Sequence, residues 1–391
     1  MGILKYNMVD ELVVIGTGGT ISSAKGKNGL TPVFTLDEMI AELKSLYPVE
    51  NFIRKITPIQ LMNIDSSNMQ PRDWQKIASQ IYEHIKPGGE GKKVRVVITH
   101  GTDTMAYTTS AISYMLQNIG IPIIFTGSQR GWTEPETDAK RNLYFAFRAA
   151  AENIGGLYVA FNDKIIRGVR VKKTDMPEIP HLDPFDSAHK DIEGIFYKEK
   201  MLISNDAREN YDIDKVPILD TRIAPESVCI VKLTPGLSPR VFDYVKKDGY
   251  KGVIIEAFGQ GNMPTNNGGS LVKTIKNLIA NGIMVAVGTQ TGGSVDMKQY
   301  EVGRRFLDIG AIPLFDMAIE AAYTKLIWIF GHTEDPKIVK KMFLTDYVGE
   351  IDMKNIGTQT LIIKRGTLLD GIVGGLYFEG FKTRKLKSKT G

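Results

Sequence analysis

Two threonine-rich turns contain the residues whose types and spacing could do chemistry. One is GTGGT at residues 16–20, directly after an apolar run, and the other is THGTDTM at residues 99–105. A hydroxyl is almost fully protonated at neutral pH, so it attacks only with a base or a cation nearby. Thr102 stands beside Asp103, whose carboxylate can bind an ammonium group, and the basic run RGVRVKK ends at Lys173. Because a desolvated lysine can accept a proton from a hydroxyl, these residues predict a Thr, Lys and Asp relay.

Glycine-rich turns also bind phosphates, which makes a nucleotide site the first alternative for residues 16–20. This turn lacks the lysine of a P-loop and the three-glycine spacing of the dinucleotide fingerprint, so that alternative is disfavoured. On this turn alone a purely structural role for Thr20, as a turn cap, stays open. The histidines are scattered without the spacing of metal ligands, and we predict neither a metal ion nor an organic cofactor.

The composition is that of an ordinary globular protein, with 42% hydrophobic and 24% charged residues among 391. The net charge of +5 is small, and part of it lies in the last residues, FKTRKLKSKTG, which we interpret as a solvated tail. The N-terminal apolar stretch is too short for a membrane span and has no cleavage-site pattern. We therefore expect a cytoplasmic protein without nucleic-acid or membrane partners. A single cysteine, Cys229, excludes a disulfide framework.

Predicted strands and helices alternate through the N-terminal half. Apolar runs predict strands at residues 12–16, 94–99, 121–126 and 157–161, and helical spacing predicts helices at residues 71–85, 105–116 and 138–153. This alternation is typical of parallel strands joined by right-handed crossovers, with the connecting loops at the carboxyl ends gathered at one edge. Both threonine-rich turns fall at that edge.

A second alternating set begins after a segment rich in proline and aspartate. Residues 173–215 show no clear periodicity and predict an irregular segment and linker, whereas strands and helices alternate again between residues 228 and 330. The predicted fold class is α/β, with a larger N-terminal domain whose mostly parallel sheet is flanked by helices and a smaller C-terminal α/β domain. We place the domains at residues 1–205 and 226–350, the linker at 206–225, and an extension of unknown role at 351–391.

The two turns resemble the two signature motifs of the bacterial-type L-asparaginases, the asparaginase/glutaminase family. TGGTI at residues 17–21 and HGTDTM at residues 100–105 carry the resemblance. Further segments resemble the family in the same order: DSSNM at 65–69, TGSQ at 126–129 and the lysine loop at 168–173. Three segments of the second half are similar to the cytosolic, type I branch: GQGN at 259–262, GTQ at 288–290 and DMAIEAAYTKL at 316–326. The resemblance covers about residues 11–350.

The resemblance implies hydrolysis of L-asparagine to L-aspartate and ammonia through an acyl-enzyme. It implies Thr20 as the nucleophile on a mobile loop, and Thr102, Asp103 and Lys173 as a second triad. It also implies a homodimer or homotetramer whose active site a neighbouring subunit completes. Asp65 and Ser66, together with Asp103, would hold the amino and carboxylate groups of the substrate. The backbone around Ser128 would meet its side-chain amide, backbone N–H groups near Gly19 and Thr102 would stabilise the oxyanion, and Asn262 would approach from the neighbouring subunit.

One departure concerns the base for Thr20. Many members carry a tyrosine about ten residues after the nucleophile, whereas this sequence has Leu30 there, which leaves Tyr107 or the pair of Thr102 and Lys173 as candidates. A dual glutaminase-asparaginase and a catalytically weak asparagine-binding sensor remain alternatives. The asparaginase-like subunit of an archaeal tRNA-dependent amidotransferase is a further one, disfavoured because that subunit carries an extra domain before its first motif.

Overall fold

The computed structural model describes residues 8–352, apart from residues 28, 88–93, 176–183, 188–191, 198–199 and 267–269. Of the predicted extension at residues 351–391, residues 353–391 lie outside the described part of the chain. The strands are Val9–Gly18 (β1), Ser23–Gly26 (β2), Gly29–Pro32 (β3), Ile53–Ile64 (β4), Val94–Thr99 (β5), Leu116–Gln117 (β6), Pro122–Thr126 (β7), Gly156–Phe161 (β8), Lys164–Arg167 (β9), Val171–Lys173 (β10), Phe185–Ser187 (β11), Gly194–Tyr197 (β12), Lys200–Ile203 (β13), Ile218–Leu219 (β14), Val228–Lys232 (β15), Gly252–Ala257 (β16), Met284–Thr289 (β17) and Ile312–Pro313 (β18). The helices are Leu36–Leu46 (α1), Pro71–Ile85 (α2), Met105–Met115 (α3), Ala139–Ala150 (α4), Asn205–Glu209 (α5), Val241–Lys247 (α6), Val272–Ala280 (α7), Glu301–Asp308 (α8), Ile319–Phe330 (α9) and Pro336–Phe343 (α10).

The main sheet of the N-terminal domain has the strand order β13-β12-β9-β8-β7-β5-β1-β4. Neighbouring strands from β8 to β4 pair in parallel, and β9, β12 and β13 add antiparallel pairs at one side. The register aligns Gly16 with Thr99 and Thr99 with Thr126, so β1, β5 and β7 end side by side. The parallel arrangement therefore delivers successive loops to one edge, as the alternation of elements predicts.

Helices cover both faces of this sheet: α1 and α2 each bury one apolar side, whereas α3 is buried on nearly all sides. Helix α2 begins with Pro71 and a capping box, and its residues Trp74, Ile77 and Ile81 are buried in one core cluster with α3. Helices α1 and α4 pack in a second cluster on the opposite face. Burial of one such large side chain contributes roughly 1.5–3 kcal/mol, so the two clusters hold the sheet and its loops in place.

The C-terminal domain is a smaller parallel sheet in the order β15-β16-β17-β18. Its helix α9 packs against α3 of the first domain, with the Tyr107 and Tyr323 rings 6.1 Å apart and the Tyr114 and Trp328 rings 6.2 Å apart. One hydrophobic cluster contains residues of both sheets and of α9. The predicted α/β class with two domains of unequal size is confirmed. Among the described residues, no helix combines the length and the apolar character needed to cross a bilayer.

The prediction of an irregular segment at residues 173–215 is wrong for part of that segment. Strands β12 and β13 form a hairpin that extends the main sheet, β11 pairs with β10, and α5 follows. The hairpin packs Phe196, Met201 and Ile203 against the core cluster of α1 and α4, whereas Ile195, Tyr197 and Leu202 on its other face are exposed. Apolar residues therefore occur on both faces of the hairpin. The local pattern therefore lacked the periodicity on which a strand prediction depends.

Candidate active site

Loops from four adjacent parallel strands meet at the carboxyl edge of the main sheet. In the order β7, β5, β1 and β4, these loops carry Ser128, Thr102 with Asp103, Gly19 with Thr20, and Asp65 with Ser66. The structure thus places these predicted residues on neighbouring loops of one edge. Lys173 reaches the same place from the end of β10.

Glycine is required where the first two turns touch. Gly19 has a φ of 85° and a ψ of 179°, a conformation that residues other than glycine rarely adopt. A Cβ atom on Gly19 would lie 2.6 Å from both N and Cα of Gly101, and one on Gly101 would lie 2.5 Å from Ser66 Oγ. The backbones around Gly19, Gly101 and Ser66 therefore contact each other directly, which puts Thr20 and Thr102 on adjacent segments.

Lys173 joins the predicted relay through two contacts. Its Nζ donates to Thr102 Oγ1 at 2.9 Å and to Asp103 Oδ1 at 2.7 Å. Thr102 is buried, and the Lys173 side chain is 16% exposed, whereas the Asp103 side chain is 59% exposed. A hydroxyl, an amine and a carboxylate are thus in contact, with the carboxylate open to a ligand from solvent. This geometry suits transfer of a proton between Thr102 and Lys173.

Thr20 begins a short 3-10 helix, Thr20–Ser22, in which Ser22 N donates to Gly19 O at 3.2 Å. That oxygen accepts from the Ser22 and Ser23 hydroxyls at 3.2 and 3.0 Å. The Thr20 hydroxyl has no hydrogen-bond partner among the described residues. Leu30 lies on β3 and pairs with Lys25 of β2, in the hairpin that directly follows.

Tyr107 is poorly suited to serve as the base for Thr20. Burial, with Glu320 and Glu256 nearby, raises the pKa of Tyr107 to about 12. Its ring packs edge-on against Tyr323 of α9. At neutral pH the phenol therefore keeps its proton, which leaves Thr102 and Lys173 as the better candidates for proton transfer.

Asp65 and Ser66 begin the loop after β4. The Asp65 carboxylate accepts from Ser67 N at 2.8 Å and Ser67 Oγ at 2.7 Å, and these hydrogen bonds, the backbone one first, lower its pKa. Ser66 is buried, and its carbonyl oxygen accepts from Thr104 Oγ1 at 2.8 Å. This second contact ties the loop after β4 to the loop that carries Thr102, with an ionised carboxylate beside them.

Ser128 lies on a loop that is held by two residues absent from the sequence predictions. The Asp138 carboxylate accepts from the backbone N–H groups of Gln129 and Arg130 at 3.0–3.1 Å, and Asn142 Nδ2 donates to Gly127 O at 3.0 Å. Asp138 directly precedes α4, yet its side chain caps the Ser128 loop instead of its own helix. In the sequence, Asp138 stands at the start of a predicted helix, and an aspartate at that position predicts ordinary capping of its own helix.

His100 is a structural neighbour of the site. It is fully buried, and burial lowers its pKa to about 4, so the ring is neutral at pH 7. Its Nδ1 lies 2.6 Å from Gly101 O, a contact in which Nδ1 must be the donor. The ring therefore fixes the backbone before Thr102, and we assign it no proton transfer.

Asn262 lies apart from these loops, in the C-terminal domain. It pairs with Phe258 in a short bridge after β16, and its Oδ1 is near Gly303 of α8. The described contacts of Asn262 thus lie within its own domain, and its predicted approach to a neighbouring subunit stays a prediction. Within the part of the chain that the structure describes, no group of His, Cys, Asp and Glu side chains could hold a metal ion.

Comparisons with known proteins agree with this arrangement along most of the chain. Residues 11–208 match the family described as Asparaginase, N-terminal, and residues 227–343 match the Glutaminase/Asparaginase C-terminal domain. The chain belongs to the asparaginase family. It is accordingly an amidohydrolase, and the resemblance carried by its two threonine-rich turns is confirmed.

Two relatives of this asparaginase-family chain differ in their stated activity. The L-asparaginase of Thermococcus kodakarensis is 36% identical over 87% of this chain and 99% of its own length. A solved structure, the thermostable L-asparaginase from Thermococcus kodakarensis, has a TM-score of 0.77 at 37% identity, covering 88% of this chain and 99% of that one. A Glutamyl-tRNA(Gln) amidotransferase subunit of Pyrococcus abyssi is 34% identical over 87% of this chain and 76% of its own length. The structure of L-asparaginase I from Vibrio cholerae has a TM-score of 0.76 at 27% identity and covers 88% of this chain and 100% of its own.

Proposed function

We propose that this chain hydrolyses L-asparagine to L-aspartate and ammonia through a threonyl acyl-enzyme. The observation that carries the proposal is the contact of Lys173 Nζ with both Thr102 Oγ1 and Asp103 Oδ1, beside the Gly19 turn. The match to nearly the full length of an L-asparaginase supports the same substrate.

In the proposed reaction Thr20 Oγ1 attacks the side-chain amide carbon of asparagine. Thr102 and Lys173 take up the proton that the Thr20 hydroxyl releases and pass it to the amide nitrogen, so that the carbon–nitrogen bond breaks and ammonia leaves. Backbone N–H groups near Gly19 and Thr102 would bind the oxyanion of the tetrahedral intermediate. Water then attacks the acyl-enzyme, which releases aspartate and restores the Thr20 hydroxyl. Each step uses only groups of this chain, the substrate and water.

The proposed substrate site uses the loops around this centre. The Asp65 and Asp103 carboxylates, together with Ser66, would hold the amino and carboxylate groups of the amino acid, and Ser128 would meet its side-chain amide. Asn262 would be supplied by a neighbouring copy in a homodimer or homotetramer. A cytoplasmic location is part of the proposal, supported by the similarity of residues 259–262, 288–290 and 316–326 to the type I branch and by the structural likeness to a Campylobacter jejuni protein described as a probable cytoplasmic L-asparaginase.

Three other functions compete with this proposal. One methylene group is worth only about 1–3 kcal/mol in discrimination, so glutamine is the nearest rival substrate. The similarity to an amidotransferase subunit favours a second candidate, an ammonia-generating subunit of a larger assembly. A catalytically weak asparagine sensor is the third, and the contact between Thr102 and Lys173 counts against it.

Ammonia release by the purified full chain separates these possibilities. L-Asparagine and L-glutamine are supplied to the wild type, to Thr20→Ala and to Thr102→Ala, with Thr274→Ala on α7 as the matched control. We expect release from asparagine, at least about 100-fold slower in each site variant and unchanged in the control. Comparable rates with glutamine would make it a dual enzyme, and asparagine binding without ammonia would make it a sensor. Neither binding nor ammonia would favour the amidotransferase subunit.

A further inference from the structure

Arg170 connects the lysine loop to the second domain. It lies between β9 and β10, three residues before Lys173, and its side chain is 4% exposed. One guanidinium nitrogen donates to Asp316 Oδ2 at 2.7 Å, and the other to the backbone oxygens of Asp316 and Glu350 at 3.1 and 2.9 Å. The Asp316 side chain is fully buried just before α9 and also accepts from Asp352 N. A single arginine thus bonds to two segments of the C-terminal domain.

The same turn is held from the other side by α3. Thr109 Oγ1 and Ser110 Oγ donate to Gly168 O at 2.9 and 3.3 Å. Helix α3 starts at Met105, directly after the turn that carries Thr102. The turn at residues 168–170 is therefore fixed between the helix that follows Thr102 and the carboxylate of Asp316.

Strand β10 carries Lys173 out of this turn. It is three residues long and pairs with β11 instead of joining the main sheet, so the position of its start decides where Lys173 Nζ lies. A buried ion pair is weak evidence for stability, because well-packed apolar replacements are often as stable. The placement of this pair, directly before the strand that supplies Lys173, points to catalysis instead.

We propose that the ion pair of Arg170 and Asp316 is a positioning device, through which the C-terminal domain sets Lys173 against Thr102. The inference rests on the proposed function, since it assigns Lys173 a part in the reaction. A misplacement of about 1 Å can cost about 100-fold in rate. The loops of Asp65, Ser66 and Ser128, which are predicted to bind the substrate, follow strands of the main sheet and do not pass through Arg170. Loss of the pair should therefore lower kcat and leave KM nearly unchanged.

The test uses the full chain with Arg170→Met, Asp316→Leu and the double variant, assayed with L-asparagine. We expect kcat about 100-fold lower in each single variant, KM within about threefold, and no further loss in the double variant. Asp220→Asn is the matched control, because Asp220 bonds to His332 and Arg222 near the domain linker. That control should unfold at a lower temperature with kcat unchanged.

The outcomes separate this inference from the proposed function. Wild-type protein without ammonia release would refute the function itself. An active wild type with folded variants whose kcat stays within about threefold would overturn the positioning role, and so would a loss of thermal stability with no change in kcat. If the apolar variants do not fold, Asp316→Asn, which keeps the shape and an acceptor, decides in the same way. Failure of Asp316→Asn to fold would assign the pair to domain stability and overturn the proposal.

Discussion

Replacement of Lys173 by methionine tests the proposed relay directly. The change removes the two contacts of Nζ, at 2.9 Å to Thr102 Oγ1 and 2.7 Å to Asp103 Oδ1, but keeps a side chain of similar length. General acid–base catalysis contributes about 100- to 10,000-fold, and each factor of ten corresponds to about 1.4 kcal/mol in activation free energy. We therefore expect kcat for ammonia release to fall by at least about 100-fold, or about 2.7 kcal/mol.

The free energy of unfolding should change far less. The Asp103 side chain is 59% exposed, and ion pairs of this kind contribute about 0–1 kcal/mol to stability. Urea unfolding measures the change in the free energy of unfolding, and a steady-state assay measures kcat and KM of the same variant.

Lys173→Arg is the matched control for charge. Arginine keeps the positive charge but does not lose its proton, so it should not restore turnover if Lys173 must accept one. A methionine variant within about tenfold of wild-type kcat would refute the relay. Recovery of activity by arginine would instead assign Lys173 a purely electrostatic role.

Two further variants probe the turn and the linker. Gly19→Ala should abolish measurable turnover and lower the free energy of unfolding by at least about 1–3 kcal/mol, because φ at this position is 85° and the new Cβ would meet the backbone of Gly101. Ammonia release and urea unfolding measure the two effects, and wild-type activity in this variant would contradict the prediction. Burial raises the pKa of Asp220, but hydrogen bonds from Arg222 and His332 outweigh it and hold the pKa well below its usual range. This carboxylate therefore stabilises the fold above its unfolded pKa of about 3.9, and the contribution is lost as pH falls below that value. Asp220→Asn should lose less stability than wild type between pH 7 and pH 3, measured by urea midpoints, and an equal loss would contradict the assignment.

Most of the elements that carry the site followed from local sequence patterns. The apolar runs predicted the strands that end before Thr102 and Ser128, and the alternation with helices predicted parallel pairing. Parallel pairing in turn predicted a shared edge, which is where the structure places these loops. The basic run after β9 offered a lysine for the relay, and the family resemblance assigned that role to Lys173, whose contact with Thr102 spans 71 residues of sequence.

The remaining features depend on contacts that no local pattern encodes. Arg170 and Asp316 lie 146 residues apart, and although both fall in segments that resemble the family, no local pattern pairs them. Asp138 occupies a typical capping position, yet its carboxylate binds another loop. The β12 and β13 hairpin has apolar residues on both its buried and its exposed face, so no alternation of apolar and polar residues marked these strands in the sequence. In each case the contact partner is set by the tertiary structure and lies outside the local sequence pattern.

The packing of α9 on α3 has a consequence for how such enzymes can be recombined. A single cluster of apolar residues extends from one sheet to the other. A truncated chain that ends in the linker would therefore expose a large hydrophobic surface to solvent. Chimeras that take their second half from another member of the family must therefore also inherit matching residues along α3. Unfolding should likewise spread from either half to the other, which makes the two halves one cooperative unit.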